Sequence, residues 1–475
     1  MPEKMQSTIT VNFSNAIGTI RAFHGINSGP ISFNGYNDSS EYYTEIGFPT
    51  VRLHDCPYFY RGDIVDVPYI FPFKQLDPND PDNYAFQRTD DYLKAIIDCG
   101  CDIVYRLGVS IEGVEKFRYN TDPPEDVDKW ITICANIIRH YNYGWANGFE
   151  FGIRYWEIWN EPDNGPVQWN STFEEFVAFY IRVAKALKAE FPEIMIGGPA
   201  FNGAMRTNAR NKIEGFLPYL KKAKAPLDFL SWHVYPRQPG ELIAPAREVR
   251  DALDAYGFHE TESHLNEWNL GPVDHDWVSN GKDPYRRRAN FEEMRGPLNS
   301  ALVAACLTGL QDAPVDMTNF YHGSCFTRGL FDDCGIPHKP FYAFRAYKRL
   351  LSKTPKRCAV EGSDPDNGLA VLAGISDERD AVQLMLTNYA SDHRDWTLKL
   401  EGLPEAKIEL EYLVIDETRN LEPAAPEQAA LTGMHLNASI PAQTVCLVSL
   451  KTAKQPEGCA ESGFSTFFRN GEVND

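Results

Sequence analysis

No stretch of this chain approaches the roughly 20 consecutive apolar residues that a membrane-spanning helix needs. The longest apolar candidate, Ser300 to Leu310, reads as a buried helix. The first residues, MPEKMQSTITVNF, lack the apolar centre of a secretory signal, so a cytoplasmic location is expected. Positive charge is also scarce: 46 Lys and Arg stand against 66 Asp and Glu, a net charge of −20. Such a surface repels phosphate backbones and anionic lipid, which argues against nucleic acid or membrane as a main partner. The 10 cysteines form no framework, and the closest pair, Cys99 and Cys101, has the wrong spacing for a zinc or redox motif. Free thiols are expected. No Gly-rich phosphate turn of either common form occurs. His259-Glu260 is not a zinc-protease motif, because Ser263 stands four residues after His259. Gly108-Val109-Ser110 is not a nucleophile elbow, because Glu112 replaces the closing glycine. No metal-ligand cluster stands out, and no cofactor is expected.

What is present describes a large globular protein. The 475 residues are 43% hydrophobic and 24% charged, which excludes wholesale disorder. Aromatic residues make up 13%, enough for a large core and also for walls that stack on flat ligands such as sugar rings.

Short strand-like runs alternate with helical runs over most of the length. Strands are expected at Ile20–His24, Thr50–Leu53, Asp102–Leu107, Tyr155–Trp159, Ile194–Gly197, Phe229–His233, His264–Asn266 and Asp316–Tyr321. The clearest helix is Thr172–Glu190, where Phe176, Phe179, Tyr180, Val183 and Leu187 recur at helical spacing. Ser171 with Glu174 three residues later reads as its capping box. Eight strand–helix units favour a closed (β/α)8 TIM barrel, an α/β fold, over an open sheet. After about Lys353 the pattern becomes strand-only, in runs such as GLAVLAGIS, AVQLMLTNY and TVCLVSLK. The expected organisation is a barrel over 13–352 and a C-terminal β-sandwich domain over 353–455. An N-terminal strand near 5–12 is available to join the sandwich, and the tail 456–475 is unassigned.

In a parallel barrel the active site lies at the C-terminal ends of the strands. The fourth strand runs Tyr155-Trp156-Glu157-Ile158-Trp159 and is followed by Asn160-Glu161-Pro162-Asp163. The seventh runs His264-Leu265-Asn266 and is followed by Glu267-Trp268-Asn269. Glu161 and Glu267 therefore face one another across the barrel mouth, each beside Trp and Asn. Glycosidic bond hydrolysis needs such a pair, one carboxyl protonated at the leaving oxygen and one charged near the anomeric carbon. A lone Glu in either context would read as a surface group. The conjunction of two at strand ends carries the inference.

The stretch YWEIWNEPD resembles the acid/base signature of glycoside hydrolases of the large retaining barrel clan. The form WNEPD is especially similar to family 39, the β-xylosidases and α-L-iduronidases. The resemblance spans roughly Val11 to Lys451 and implies the same barrel with a β-sandwich beside it. It implies Glu161 as acid/base, Glu267 as nucleophile and Asn160 as the partner of the sugar 2-OH. It places Arg52 beside the nucleophile, where a cation favours the ionised form, and His233 and Tyr235 flanking the two carboxyls. The nucleophile region departs from the usual pattern: Asn266 precedes Glu267 where a Thr is common, and Glu262 lies too early to reach the mouth. His54, His24 and Tyr321 are further candidates for contacts with sugar hydroxyls.

The expected activity is retaining, exo-acting hydrolysis of a terminal glycoside by double displacement. The two carboxyls should then stand about 5–5.5 Å apart. A β-xyloside is the first choice of substrate. An α-L-arabinofuranoside, a β-glucoside or a uronide is the alternative, and a non-catalytic carbohydrate-binding barrel the rival of a different class. The aromatic insertion Pro57–Asp90 would wall one end of the mouth and favour exo action. The expected partner is an oligosaccharide or glycoside, and the sequence leaves a homo-oligomer open.

Overall fold

The computed structural model describes residues 9–452 apart from 33–34, 57–63, 113–119, 204–206, 273–282, 325–327, 368, 404–407 and 426–428. Eight parallel strands close into a barrel in the order Gly25–Asn27, Thr50–Leu53, Asp102–Leu107, Tyr155–Ile158, Met195–Phe201, Phe229–Val234, Glu262–Trp268 and Met317–Phe320. Helices return the chain between strands. Those at Gln87–Asp98, Val127–Tyr143 and Phe173–Glu190 each bury one apolar face on the barrel. Helix Pro297–Gly309 is buried on every side, because it lies between the barrel and the second sheet.

Seven barrel strands fall where the periodicity predicts them, within a few residues. The first does not. Ile20–His24 was expected, whereas the strand is Gly25–Asn27. Arg21 instead leaves the ladder and reaches the carbonyl oxygens of Ala313 and Val315 with its guanidinium. Only a glycine fits at position 25, since a Cβ there would meet the Thr318 carbonyl oxygen at 2.4 Å. The capping box of helix Phe173–Glu190 is also displaced by one residue. Thr172 caps and Glu175 reaches back, not Ser171 and Glu174.

The second unit is a ten-stranded sheet. Its order is Asn420–Pro423, Ile408–Ile415, Thr444–Thr452, Ala381–Asn388, Leu369–Ile375, Lys356–Glu361, Ile9–Thr19, Asp395–Glu401, His435–Ser439 and Ala429–Thr432. The N-terminal strand joins it, antiparallel to Lys356–Glu361 and parallel to Asp395–Glu401. This strand runs on to Thr19, so residues 13–19, expected to open the barrel, belong to the sheet. One buried cluster takes Leu384, Leu386 and Val448 from one half of the sheet and Leu398, Leu400 and Leu436 from the other. Leu372, Met385, Leu413 and Leu447 point the opposite way and join the core of the barrel. Burial on both faces explains the nearly continuous apolar runs in these strands. The tail 456–475 lies outside the described residues. No described helix is long and apolar enough to cross a membrane. Eight cysteines, including Cys99 and Cys101, are free thiols among the described residues.

The cap of helix Phe173–Glu190 gives a test. Thr172→Ala removes the oxygen that accepts from the Glu175 N–H at 3.2 Å. Urea unfolding should show a loss of about 1 kcal/mol. Glu174→Ala should cost a few tenths, the size of a favourable helix-dipole contact.

Candidate active site

The barrel interior is polar at its catalytic end, and one guanidinium organises it. Arg52, on the second strand, is fully buried. Its Nε donates to Glu157 Oε2 at 2.7 Å. Nη1 donates to Glu267 Oε1 at 2.9 Å and to Asn27 Oδ1 at 3.2 Å, and Nη2 donates to Asn160 Oδ1 at 2.6 Å. Burial alone would lower the Arg52 pKa. The carboxylates of Glu157 and Glu267 outweigh it and raise the pKa above its ordinary value. These partners come from the first, fourth and seventh strands, so the cation ties together opposite walls of the barrel.

Two irregularities bring the carboxyls in. The fourth strand ends at Ile158, and Trp159 (φ 73°) and Glu161 (φ 43°) then adopt left-handed backbone conformations. A bulky residue is unusual there. Trp159 is held by its N–H to the Leu107 oxygen and its indole N–H to the Gln168 oxygen, both at 2.9 Å. Glu161 is held by its N–H to the Ala200 oxygen at 3.0 Å. The kink turns Asn160 and Glu161, neighbours in sequence, to the same pocket. In the seventh strand, Glu262–Trp268, the register with the sixth strand slips between Leu265 and Glu267. That bulge lets both Asn266 and Glu267 face inward, where a regular strand would send them to opposite faces.

Glu161 Oε1 lies 2.7 Å from His233 Nδ1, and Oε2 accepts from Asn164 Nδ2 at 3.1 Å. Burial pushes the Glu161 carboxyl up to about 7, against the pull of Arg52 and Asn164. Glu267 accepts from Arg52 on Oε1 and from the Tyr235 hydroxyl on Oε2 at 2.7 Å. Donor-capable atoms of Glu161, His233 and Glu267 all lie within 4.8 Å of one another, the one grouping of metal-ligand type among the described residues. Its atoms already hold one another: His233 Nδ1 pairs with Glu161, and Arg52 and Tyr235 occupy Glu267.

His54 Nε2 stands 3.3 Å from Asp55 Oδ2 and 4.0 Å from Glu267 Oε1. Burial, then the charges of Arg106 and Arg52, hold this imidazole neutral. The Tyr321 hydroxyl donates to Asp55 Oδ2 at 3.3 Å, and its ring meets Tyr235 edge-on. Eight of the nine residues singled out from the sequence thus gather at one place: Arg52, His54, Asn160, Glu161, His233, Tyr235, Glu267 and Tyr321. His24 does not. The first strand begins after it, so it sits at the opposite end of the barrel, with Nε2 3.1 Å from the Gly47 oxygen and its ring on Phe48 and Tyr347. Glu262, at the same far end of the seventh strand, pairs with His264 and Tyr155.

Glu157, Asn266, Asn164 and Asp55 were not singled out. Glu157, in the middle of the fourth strand, is fully buried against Arg52. Asp55, whose carboxyl burial and Asp66 push up to about 7, stands beside His54 in the run that ends the second strand. Its proximity in sequence to Arg52 and His54 was the available signal.

The start of the described part of the aromatic insertion does sit at the mouth end. The Val67 N–H donates to the Gly108 oxygen just past the third strand, and Asp66 pairs with Arg106 and accepts from the Ser110 N–H. Its later aromatics pack away on helix Val127–Tyr143. Tyr84 and Phe86 stack on each other, and Phe86 stacks on His140 of helix Val127–Tyr143. Residues 57–63 of the insertion lie outside the described residues.

Comparisons with known proteins agree with this geometry. The model of Glycosyl hydrolases family 39 matches residues 13–346. A β-xylosidase of Caldicellulosiruptor saccharolyticus is 23% identical over 388 residues, which cover 73% of this chain and 70% of that protein. A glucosidase from Croceicoccus marinus superposes with a TM-score of 0.75 at 25% identity, over 94% of this chain and 99% of that one. A monomeric β-xylosidase from Caulobacter crescentus CB15 gives a TM-score of 0.67 at 16% identity, over 94% of this chain and 99% of that one, and speaks for the fold alone. The family match covers most of the chain and the whole of the barrel that carries the two glutamates. The chain therefore belongs to glycoside hydrolase family 39 and is an O-glycosyl hydrolase.

Proposed function

We propose that this chain is a retaining, exo-acting glycosidase, with terminal β-xylosides as its first substrate class. The observation that carries the reading is the pair of carboxyls in unlike surroundings. An oxygen of Glu161 and an oxygen of Glu267 lie within 4.8 Å of each other, a close approach that favours the short spacing double displacement uses. Glu267, held by Arg52 and Tyr235, attacks the anomeric carbon. Glu161, protonated in its buried pocket, gives its proton to the departing oxygen. A glycosyl-enzyme forms, and ionised Glu161 then takes a proton from the water that releases the sugar. Asn160 Nδ2 is buried and has no partner among the described residues, which leaves it free to donate to the sugar 2-OH. Its orientation is held by Arg52 on Oδ1.

The choice of a β-xyloside rests on the β-xylosidase relative. A β-glucoside is the second reading, favoured by the fit to the glucosidase structure. Arg328 stands 5.8 Å over the Tyr235 ring, so a uronide belongs in the comparison as well. Release of nitrophenol from aryl β-xyloside, β-glucoside, α-L-arabinofuranoside and β-glucuronide should rank the xyloside first by kcat/KM. A higher value on any other member reassigns the substrate.

Substitution separates the two glutamates. Glu267→Ala should abolish turnover on every substrate. Glu161→Ala should lose hydrolysis of alkyl glycosides yet show a burst on an activated aryl glycoside, because that leaving group needs no proton. Azide should restore turnover in Glu161→Ala and give the glycosyl azide of retained configuration. In Glu267→Ala it should give the inverted azide. Proton NMR of the two products reads the outcome, and the opposite pair would mean swapped roles.

Acidity gives two further expectations. With the Glu161 carboxyl at about 7, kcat/KM on a poor leaving group should fall as pH rises through 7, when the proton is lost. The same shift acts on stability. In the unfolded chain the group ionises near its ordinary 4.5, whereas the folded site keeps its proton to about 7. Stability from this group is therefore present below pH 4.5 and lost as pH rises to 7. Glu161→Gln escapes the loss. It should exceed the wild type by roughly 1–3 kcal/mol above pH 7 in urea unfolding, and the difference should vanish near pH 4.

A further inference from the structure

We propose that Asn266 and Glu157 are positioning residues that fix the tautomer of His233, so that its Nδ1 meets protonated Glu161 as a bare lone pair. The proposal rests on the reading of Glu161 as acid and base, and it assigns a task to the Asn that replaces the usual Thr before Glu267.

Arg52 pairs with Glu157 Oε2 at 2.7 Å, and the other oxygen, Oε1, accepts from Asn266 Nδ2. A carboxylate paired with a guanidinium offers lone pairs, so the amide must turn its NH2 toward Glu157. That leaves Asn266 Oδ1, an acceptor, facing away from Glu157. Asn266 Oδ1 and His233 Nε2 are both buried, and among the described residues both lack a partner in ordinary hydrogen-bond geometry. They are complementary atoms on neighbouring strands. Glu267 is the register partner of His233, and Asn266 lies in the bulge just before it. The Asn266 side chain also stands close enough to act on the titration of the ring.

The ring carries a single proton. Burial, foremost, brings its pKa down to about 4; Glu267, Glu157 and Asn266 raise it and Arg52 lowers it. A neutral imidazole has one N–H, and which nitrogen bears it is set by the partner of the other. With the hydrogen on Nε2, it points at Asn266 Oδ1, and Nδ1 keeps a lone pair. Glu161 Oε2 already accepts from Asn164, so the acid proton sits on Oε1, which lies 2.7 Å from that lone pair. The alternative tautomer would donate from Nδ1 to Glu161 and, at 3.4 Å, to Glu267. It would also set two buried lone pairs, on Asn266 Oδ1 and His233 Nε2, against each other, which is unfavourable where no water intervenes.

The consequence for the reaction is direct. A lone pair facing Oε1 favours the protonated acid before bond cleavage. After the proton has gone to the leaving group, the same lone pair faces a carboxylate and strengthens it as a base toward water. The other charged or titratable groups facing Glu161 are Arg52, Asp163 and Glu267. None of these is altered by a substitution at Asn266.

Two measurements test the proposal. The first needs no variant. Neutron diffraction from perdeuterated wild-type crystals grown near pH 5 should place deuterium on His233 Nε2 and none on Nδ1. Deuterium on Nδ1, alone or with Nε2, overturns it. The second is the pH profile of Asn266→Leu, similar in size and without polar atoms. Freed of its partner, the ring can donate from Nδ1 to ionised Glu161. The alkaline limb of kcat/KM on an alkyl glycoside should then move down by about one pH unit. A loss of packing alone would lower the unfolding midpoint and leave that limb in place, and an unmoved limb in the folded variant overturns the proposal. The neutron result does not depend on which glutamate is the acid. The azide products decide that separately, so failure of one reading is distinguishable from failure of the other.

Discussion

A fully buried arginine is costly unless every direction of its fork finds an acceptor. Arg52 finds Glu157, Glu267, Asn27 and Asn160, on or just beyond three other strands of the barrel. Closing the barrel and satisfying this cation are therefore the same event. Remove the charge and buried Glu157 loses its cationic partner, Asn160 loses the contact that aims its amide, and Glu267 loses one of its two strong donors. This single guanidinium ties together the side chains on both sides of the candidate site.

The backbone makes a second contribution. Regular strands alternate their side chains, so two successive residues cannot both face the pocket. Here it happens twice. The left-handed turns at Trp159 and Glu161 deliver Asn160 with Glu161, and the bulge after Leu265 delivers Asn266 with Glu267. Each irregularity is held by neighbours that regular pairing would not need, such as the Trp159 indole on the Gln168 oxygen. A left-handed turn in one place and a register slip in the other thus supply the doubled sets of polar side chains.

The fold was largely legible in the sequence because its signals are local. Hydrophobic periodicity, turn residues and strand-end motifs located seven of eight barrel strands and the switch to an all-strand region. The first strand escaped because Gly25–Asn27 is three residues long and its preceding Ile20–His24 run has the better strand composition. His24 was carried to the wrong end of the barrel by that displacement. Motif and position singled out Glu161, Glu267 and most of the side chains that gather around them. Glu157 and Asn266 were not, since their roles depend on contacts between strands distant in sequence. An Asp or Glu in a strand carries no mark that tells a buried ion pair from a surface group.

The place of strand Ile9–Thr19 has a consequence for synthesis and for dissection. It leaves a ribosome before the barrel, yet its partners, Lys356–Glu361 and Asp395–Glu401, emerge only after the whole barrel. It also joins the two halves of the ten-stranded sheet. A fragment beginning after the barrel would hold two partial sheets with the seam between them missing, each presenting unpaired strand edges of the kind that seed aggregation. The β-unit is therefore stitched to the barrel by order of assembly as well as by contact, and the catalytic barrel is enclosed within the interval between two strands of its own companion domain.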